Sequence, residues 1–473
     1  MINVRVPVTG TTAVLLSVLL SPMPAASGPV SHAMAGSSAS GAYGVTAGHL
    51  RPVSTRPIPG VEARTVPGAS AGDFGGRPAV IGHRGACAYR PEHTLLSYRA
   101  AVEAGADYVE PDVVSTRDHV LVVRHENEIS QTTDVARHPE FASRRTTKVI
   151  DGRFLTGWFT EDFTLAELRT LRAVERMPEM RPLSAAFDGR EPIATFEEVV
   201  ALAVRSGVGV YVETKHPGYF ASIGLPLEEP VLSTLAAHGR RERSDPVFIE
   251  SFETANLRAL RARTRLRLVQ LYESTGAPRD LVVQGDPRTY RDLATPEGLA
   301  QVASYADAVG VPTGLVMPVD RDGRPGPATT LVADAHRSGL AVHVWTVRPE
   351  NAFLPLPFRR GDPAARWYAR THGDVTGWLR VLYGLGVDGV FTDDPLAARL
   401  ARDLTVAGAG GTAGRGEPSR PASGPWPPGP APGPVRSPED QASATAGAGP
   451  AATGTVSRGV ASGSGSIGRS SSA

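Results

Sequence analysis

Four short stretches carry the residue types that move protons and hold anions. Ile81-Gly82-His83-Arg84-Gly85-Ala86 ends an apolar run in a histidine, an arginine and a glycine. Tyr108-Val109-Glu110-Pro111-Asp112-Val113-Val114 sets two acids inside another apolar run. Val122-Val123-Arg124-His125-Glu126 and Val212-Glu213-Thr214-Lys215 end two more. Histidine exchanges protons near neutral pH, so His83 and His125 are candidates for general acid–base work. Arg84 can grip an anionic oxygen pair bidentately, and Gly85 permits close backbone approach. Glu110 and Asp112 are two apart, which on a strand puts both on one face. Adjacent carboxylates repel unless a cation sits between them. With Glu213 they make three hard oxygen ligands, a set suited to Ca²⁺ or Mg²⁺ rather than zinc. Any one of these features also fits solvated loop charges or a structural histidine. Their collection at the ends of apolar runs favours a catalytic site.

Such residues need elements that bring them together. Candidate strands are Ala79–Gly82, Tyr108–Val114, Val208–Glu213, Val247–Ser251, Leu266–Leu271, Ala308–Val311, Ala341–Val347 and Gly389–Phe391. Between most of them lie amphipathic stretches with helical spacing, such as Thr94–Ala104, Thr195–Arg205 and Val375–Leu385. Alternation of this kind predicts parallel strands with crossover helices. Eight strands predict an α/β fold, a (β/α)8 TIM barrel, with an insertion after the second strand at about residues 115–165. Catalytic residues of such barrels sit at the carboxyl ends of the strands. A doubly wound open sheet is the competing architecture, and no Gly-rich dinucleotide fingerprint supports it. Pro111 is awkward in a central strand and suits a place where pairing stops. In Pro91-Glu92-His93-Thr94, Thr94 is an N-cap candidate. Glu92 reads as a secondary site residue or a loop hydrogen-bonder, His93 as a surface residue, and Cys87 as packing.

The chain has 473 residues, with 49 basic against 48 acidic side chains, a formal charge of +1. That balance disfavours nucleic-acid binding through bulk charge. One cysteine excludes an internal disulfide and a cysteine-rich zinc site. Residues 1–35 read as a signal peptide: Arg5, the apolar Thr12–Leu20, and an A-x-A site at Ala33-Met34-Ala35. The apolar run is too short to span a bilayer, and no transmembrane helix is expected. Residues 36–77 and 404–473 are rich in Gly, Ser, Ala and Pro and read as a disordered linker and tail. The folded domain is therefore expected at 78–403. Secretion, with cell-wall association through the tail, is the expected localisation.

Taken in order, His83-Arg84-Gly85-Ala86, Pro91-Glu92-His93-Thr94, Glu110-Pro111-Asp112, His125-Glu126, Glu213-Thr214-Lys215 and Phe391-Thr392-Asp393 resemble the glycerophosphodiester phosphodiesterase family, in its exported bacterial branch. The resemblance spans about residues 79–400. It implies a TIM barrel and divalent-metal hydrolysis of glycerophosphodiesters to glycerol 3-phosphate and an alcohol. By motif, it implies Glu110, Asp112 and Glu213 as metal ligands, Ca²⁺ first and Mg²⁺ second. It implies His83 and His125 as the acid/base pair, Arg84 and Lys215 as phosphate binders, and Phe252 and Trp345 as pocket lining. Two positions depart from the family pattern: His93 stands where Asn is common, and Glu126 where Asp is common. The reaction runs either through attack by the substrate's own 2-hydroxyl or through direct attack by water. Competing readings are a phospholipase-D-like lyase on lysolipids and a non-catalytic wall-associated binding protein. The five intact site residues argue against the second, and an insertion long enough to close over small head groups argues against the first.

Overall fold

The structure, a computed structural model, describes residues 76–410, with side chains to 406. The expected signal peptide, nearly all of the linker, and the tail beyond 410 lie outside the described residues. Among the described residues twelve strands form: β1 (Ala79–His83), β2 (Tyr108–Glu110), β3 (Asp112–Ser115), β4 (Leu121–Val123), β5 (Thr146–Ile150), β6 (Arg153–Gly157), β7 (Gly209–Thr214), β8 (Val247–Ser251), β9 (Arg267–Leu271), β10 (Ala308–Pro312), β11 (Ala341–Val347) and β12 (Gly389–Thr392). β1 pairs in parallel with β2 and β12, and the order runs on through β11, β10, β9 and β8 to β7. β7 pairs with both β2 and β3, so the sheet closes. This is a (β/α)8 barrel, because β2 and β3 are one stave interrupted at Pro111. Proline has no N–H to give the ladder, but its carbonyl still accepts from the Glu213 amide at 3.0 Å.

The helices begin where capping chemistry allows. Thr94 accepts from Ser97 N and starts the helix Leu95–Glu103. Thr195 and Glu198 form a reciprocal capping box on Phe196–Ser206, which Gly207 ends in a left-handed conformation. The insertion is longer than the expected 115–165. β4 returns antiparallel to β3, and the chain stays outside the barrel until Thr195. Its last third contains only short helical turns, which explains why helical periodicity did not mark its end. The final helix, Pro395–Gly410, continues past the expected boundary at 403. Among the described residues no helix is long and apolar enough to cross a membrane.

Strand alternation sorts the barrel into two cores. Outward residues such as Val80, Val109, Val212 and Ile249 pack under the helices. Inward residues Ile81, Tyr108, Tyr211, Phe248 and Phe391 form a separate aromatic floor. Tyr211 stacks on Phe248 with centroids 4.8 Å apart and meets Phe391 edge-on at 4.8 Å. Side chains alternate with period two. The next inward residue on each of these strands, towards the carboxyl end, is therefore His83, Glu110, Glu213, Glu250 and, just past β12, Asp393. The floor is apolar and filled, so this layer of charged groups faces the open end.

Candidate active site

The turn after β1 aims the first two groups. Arg84 and Gly85 both have positive φ, 55° and 95°. At Gly85 a Cβ would overlap Ser97, so only glycine fits that turn. The fold of the turn points the Arg84 amide at Glu110, donating to Oε2 at 2.6 Å. The Arg84 guanidinium donates to both Glu92 oxygens at 3.2 and 3.3 Å and stands 3.5 Å from Asp112. Glu92 in turn accepts from Arg176 at 2.6 Å. Glu92 is thus part of the site, fixing an arginine that lines the cavity.

Register brings the acids together: His83 lies opposite Glu110, and Glu213 lies opposite both Asp112 and Glu250. Glu110, Glu213 and Glu250 each offer an oxygen, the three within 4.8 Å of one another. Burial first, then repulsion from Asp112, pushes Glu110 well above the usual carboxylate range. Burial and the Glu213 and Glu110 charges do the same to Glu250, and burial with Asp112 pushes Glu213 up to about 8. Asp112 goes the other way. Lys215 and the hydrogen bond from His93 outweigh its burial and hold it ionised. Asp112 Oδ1 and Glu250 Oε2 are buried without a hydrogen-bond partner. A buried, mutually repelling carboxylate cluster with two orphaned oxygens is the environment a divalent cation satisfies. Of the expected ligand set, Glu110 and Glu213 fall in the converging trio. Asp112 stands beside it, and Glu250 completes it.

His93 corrects the sequence reading: it is fully buried rather than on the surface. Its Nε2 bonds Asp112 Oδ2 at 2.8 Å and its Nδ1 bonds the Tyr98 hydroxyl at 2.7 Å. Tyr98 is itself placed by the helix that Thr94 caps. The motif position looked exposed because Pro91-Glu92-His93 reads as a polar loop; a positive φ of 57° at His93 folds it inward.

Each candidate catalytic histidine has a carboxylate at Nδ1. His83 Nδ1 lies 2.6 Å from Asp393 Oδ1. Asp393 Oδ2 accepts from Arg181 at 2.5 Å, and Arg181 also bonds Glu350 at 2.6 Å. Arg181 and His83 keep Asp393 ionised despite its burial. His83 Nδ1–H therefore donates to the Asp393 carboxylate, which leaves Nε2 to meet a substrate. His125 Nδ1 lies 3.0 Å from Glu126 Oε1. Burial, then the Arg84 cation, lowers the pKa of both rings to about 4. Lys215 Nζ stands 2.9 Å from Glu213 and is held protonated, the neighbouring carboxylates overcoming its burial.

A cavity of about 860 Å³ joins these groups. His83, Arg84, Glu110, His125, Glu213, Lys215, Phe252 and Trp345 all line it. Phe252 and Trp345 meet edge-on, centroids 6.0 Å apart, and form an apolar wall. Ile150, Asp151, Arg153 and Leu155 of the insertion hairpin line the same cavity. Sequence reasoning missed Glu250, although its position two beyond Phe248 in Val247–Ser251 marks it. It also missed Arg181 and Glu350, which lie outside strand ends and carry no such signal.

Residues 83–397 match the glycerophosphoryl diester phosphodiesterase family. The chain is 33% identical over 331 residues to the Arabidopsis thaliana glycerophosphodiester phosphodiesterase GDPD6, covering 67% of this chain and 84% of that protein. It is 30% identical over 346 residues to the Haemophilus influenzae glycerophosphodiester phosphodiesterase, covering 67% and 87%. Among solved structures, it is similar to an Oleispira antarctica phosphodiesterase in complex with the product sn-glycerol-3-phosphate, at 20% identity and a TM-score of 0.43, over 70% of this chain and 99% of that one. With a family match over most of its described residues, and its acids, cations and histidines gathered at one barrel end, the chain belongs to the glycerophosphoryl diester phosphodiesterase family.

Proposed function

We propose that this protein hydrolyses glycerophosphodiesters to glycerol 3-phosphate and an alcohol, using a divalent cation and two histidines. The observation that carries the reading is the single inward layer in which His83, Glu110, Glu213 and Glu250 face one cavity with His125, Arg84 and Lys215. Glu110, Glu213 and Glu250, with Asp112 beside them, would hold the cation, and an all-oxygen set suits Ca²⁺ before Mg²⁺. Bound there, it would neutralise negative charge on the phosphoryl oxygens. Arg84 and Lys215 supply fixed positive charge to the same oxygens. One histidine takes the proton of the attacking oxygen through Nε2, and the other protonates the leaving alcohol; where the substrate's own 2-hydroxyl attacks, water then opens the cyclic phosphate to glycerol 3-phosphate, and where water attacks, glycerol 3-phosphate forms directly. The arriving phosphodiester anion offsets Arg84 and Lys215, two causes of the low His125 pKa, and so raises it towards proton donation. Residues of the insertion hairpin wall one side of the cavity, which favours small head groups over whole lysolipids. An exported enzyme, held at the cell wall by its tail, fits the composition of residues 1–35 and 404–473.

Turnover of glycerophosphocholine against lysophosphatidylcholine, with and without chelator, tests the reading. The expected result is hydrolysis of the first, loss with chelator, and recovery with Ca²⁺. His83→Ala and His125→Ala should each lower kcat by at least about 100-fold while the protein folds and binds metal. Full activity in chelator overturns the metal reading, and near-normal kcat in His125→Ala overturns the two-histidine mechanism.

A further inference from the structure

A line of alternating charges stands behind each of the two histidines. On one side the chain runs His83, Asp393, Arg181, Glu350. On the other, Glu126 Oε1 stands 3.0 Å from His125 Nδ1 as an ion-pair contact without hydrogen-bond alignment, and its Oε2 accepts from His216 Nε2 at 3.0 Å. His216 Nδ1 then donates to Asp151 Oδ2 at 2.5 Å. Each line reads histidine, carboxylate, cation, carboxylate.

The second line joins three separate parts of the chain. His125 and Glu126 follow β4, His216 follows β7, and Asp151 is the tip of the β5–β6 hairpin. Asp151 and Gly152 have φ of 49° and 81°, the conformation of a two-residue Asp-Gly hairpin turn. His216 has φ of 48°, a left-handed conformation unfavourable for its residue type. It directly precedes the helix Pro217–Ser222. Left-handed backbone at a non-glycine residue persists where surrounding contacts fix it. Here the two hydrogen bonds of the ring do so. Asp151 and Glu126 outweigh burial and raise the His216 pKa to about 9, so the ring is a cation donating from both nitrogens at neutral pH.

We infer that His216 is a positioning residue, holding the Glu126 carboxylate against His125 and tying that pair to the tip of the insertion hairpin. It lines the same cavity, but both of its ring nitrogens are engaged, by Glu126 and Asp151. It acts through Glu126, as Arg181 acts through Asp393. It also links the hairpin that lines the cavity to the orientation of a proton-transfer group. The inference rests on the acid–base role of His125 proposed above.

A double-mutant cycle tests it, with glycerophosphocholine as substrate at saturating Ca²⁺. His216→Phe should lower kcat by about 10-fold or more with a smaller change in KM, since supporting contacts are worth about that much. In the His125→Ala background the same change should cost less than about twofold, because the group it positions is gone. His216→Gln keeps one donor and should recover part of the loss. Asp151→Asn keeps the turn but removes the outer charge, so it should lower kcat in the same direction by less. These variants also stand in if His216→Phe does not fold. A full 10-fold loss in the His125→Ala background overturns the inference, since the effect would then bypass His125. Wild-type kcat in folded His216→Phe, beside an inactive His125→Ala, overturns the inference and leaves the function standing. Near-normal kcat in His125→Ala alone overturns the inference together with the two-histidine mechanism, while hydrolysis itself stands.

Discussion

Asp393→Asn separates orientation from mere stability at the first histidine. Asp393 is 1% exposed, accepts the His83 Nδ1 proton at 2.6 Å and takes Arg181 at 2.5 Å. Asparagine keeps the shape but turns an ionised acceptor into a neutral amide. His83 then loses the partner that fixes its tautomer and stabilises the imidazolium formed during proton transfer. Loss of such a partner costs about 10²–10⁴-fold in kcat, or about 3–5 kcal/mol in the barrier. The same substitution removes one of two carboxylates from Arg181, while Glu350 stays at 2.6 Å. Breaking a buried pair costs about 3–5 kcal/mol when nothing compensates, so a stability loss near the lower end is expected. The two effects are resolved by measuring kcat well below the melting temperature and normalising to the folded fraction from circular dichroism. An activated p-nitrophenyl leaving group then divides the roles, since it needs no protonation. If the loss persists with it, His83 is the base; if the loss vanishes, His83 is the acid. Wild-type kcat per folded molecule would refute the reasoning, because Asp393 would then serve only Arg181.

Glu250→Gln should weaken Ca²⁺ binding in calorimetry yet raise the melting temperature of metal-free protein, because a neutral amide avoids first the cost of burying a carboxylate and then the repulsion from Glu213 and Glu110; unchanged affinity removes Glu250 from the ligand set. His93→Ala removes a hydrogen-bond partner from Asp112 and leaves Tyr98 its bond to the Glu110 carbonyl, so it should cost about 1–3 kcal/mol in denaturant unfolding and weaken metal binding by about 10–100-fold. Intact stability and affinity would show that the buried ring does neither. His216 links stability to pH with a definite sign. Its folded pKa of about 9 lies above the usual 6.5, so its contribution is full below 6.5 and lost as pH rises through 9. The shift corresponds to about 3 kcal/mol. The difference in unfolding free energy between wild type and His216→Gln should therefore shrink between pH 6.5 and 9.5, and a constant difference refutes the ion-pair account.

Much of this molecule follows from local rules. Apolar runs of three to seven residues, spaced by amphipathic stretches, specify strands and crossover helices, and Thr94 and Thr195 cap their helices as their neighbours dictate. Period-two alternation already places His83, Glu110 and Glu213 at strand ends on one face, since a one-residue slip would turn them into the helix layer. Glu250 was equally legible by that rule, two beyond Phe248. Other features depend on contacts between distant segments. His93 and Glu92 look like loop polars until a left-handed backbone turns His93 under the site towards Asp112. Arg181, 212 positions from Asp393 in sequence, has no periodic signature, because it sits on an irregular insertion whose path is set by what it packs against. The same holds for the Asp151–His216–Glu126 line. Asp151 is specified locally as a hairpin turn, but which cation it meets is decided only when barrel closure brings β7 beside β3. Local propensity acts over a few residues, whereas the pairing of buried charges is fixed by the low-dielectric interior that the whole barrel creates.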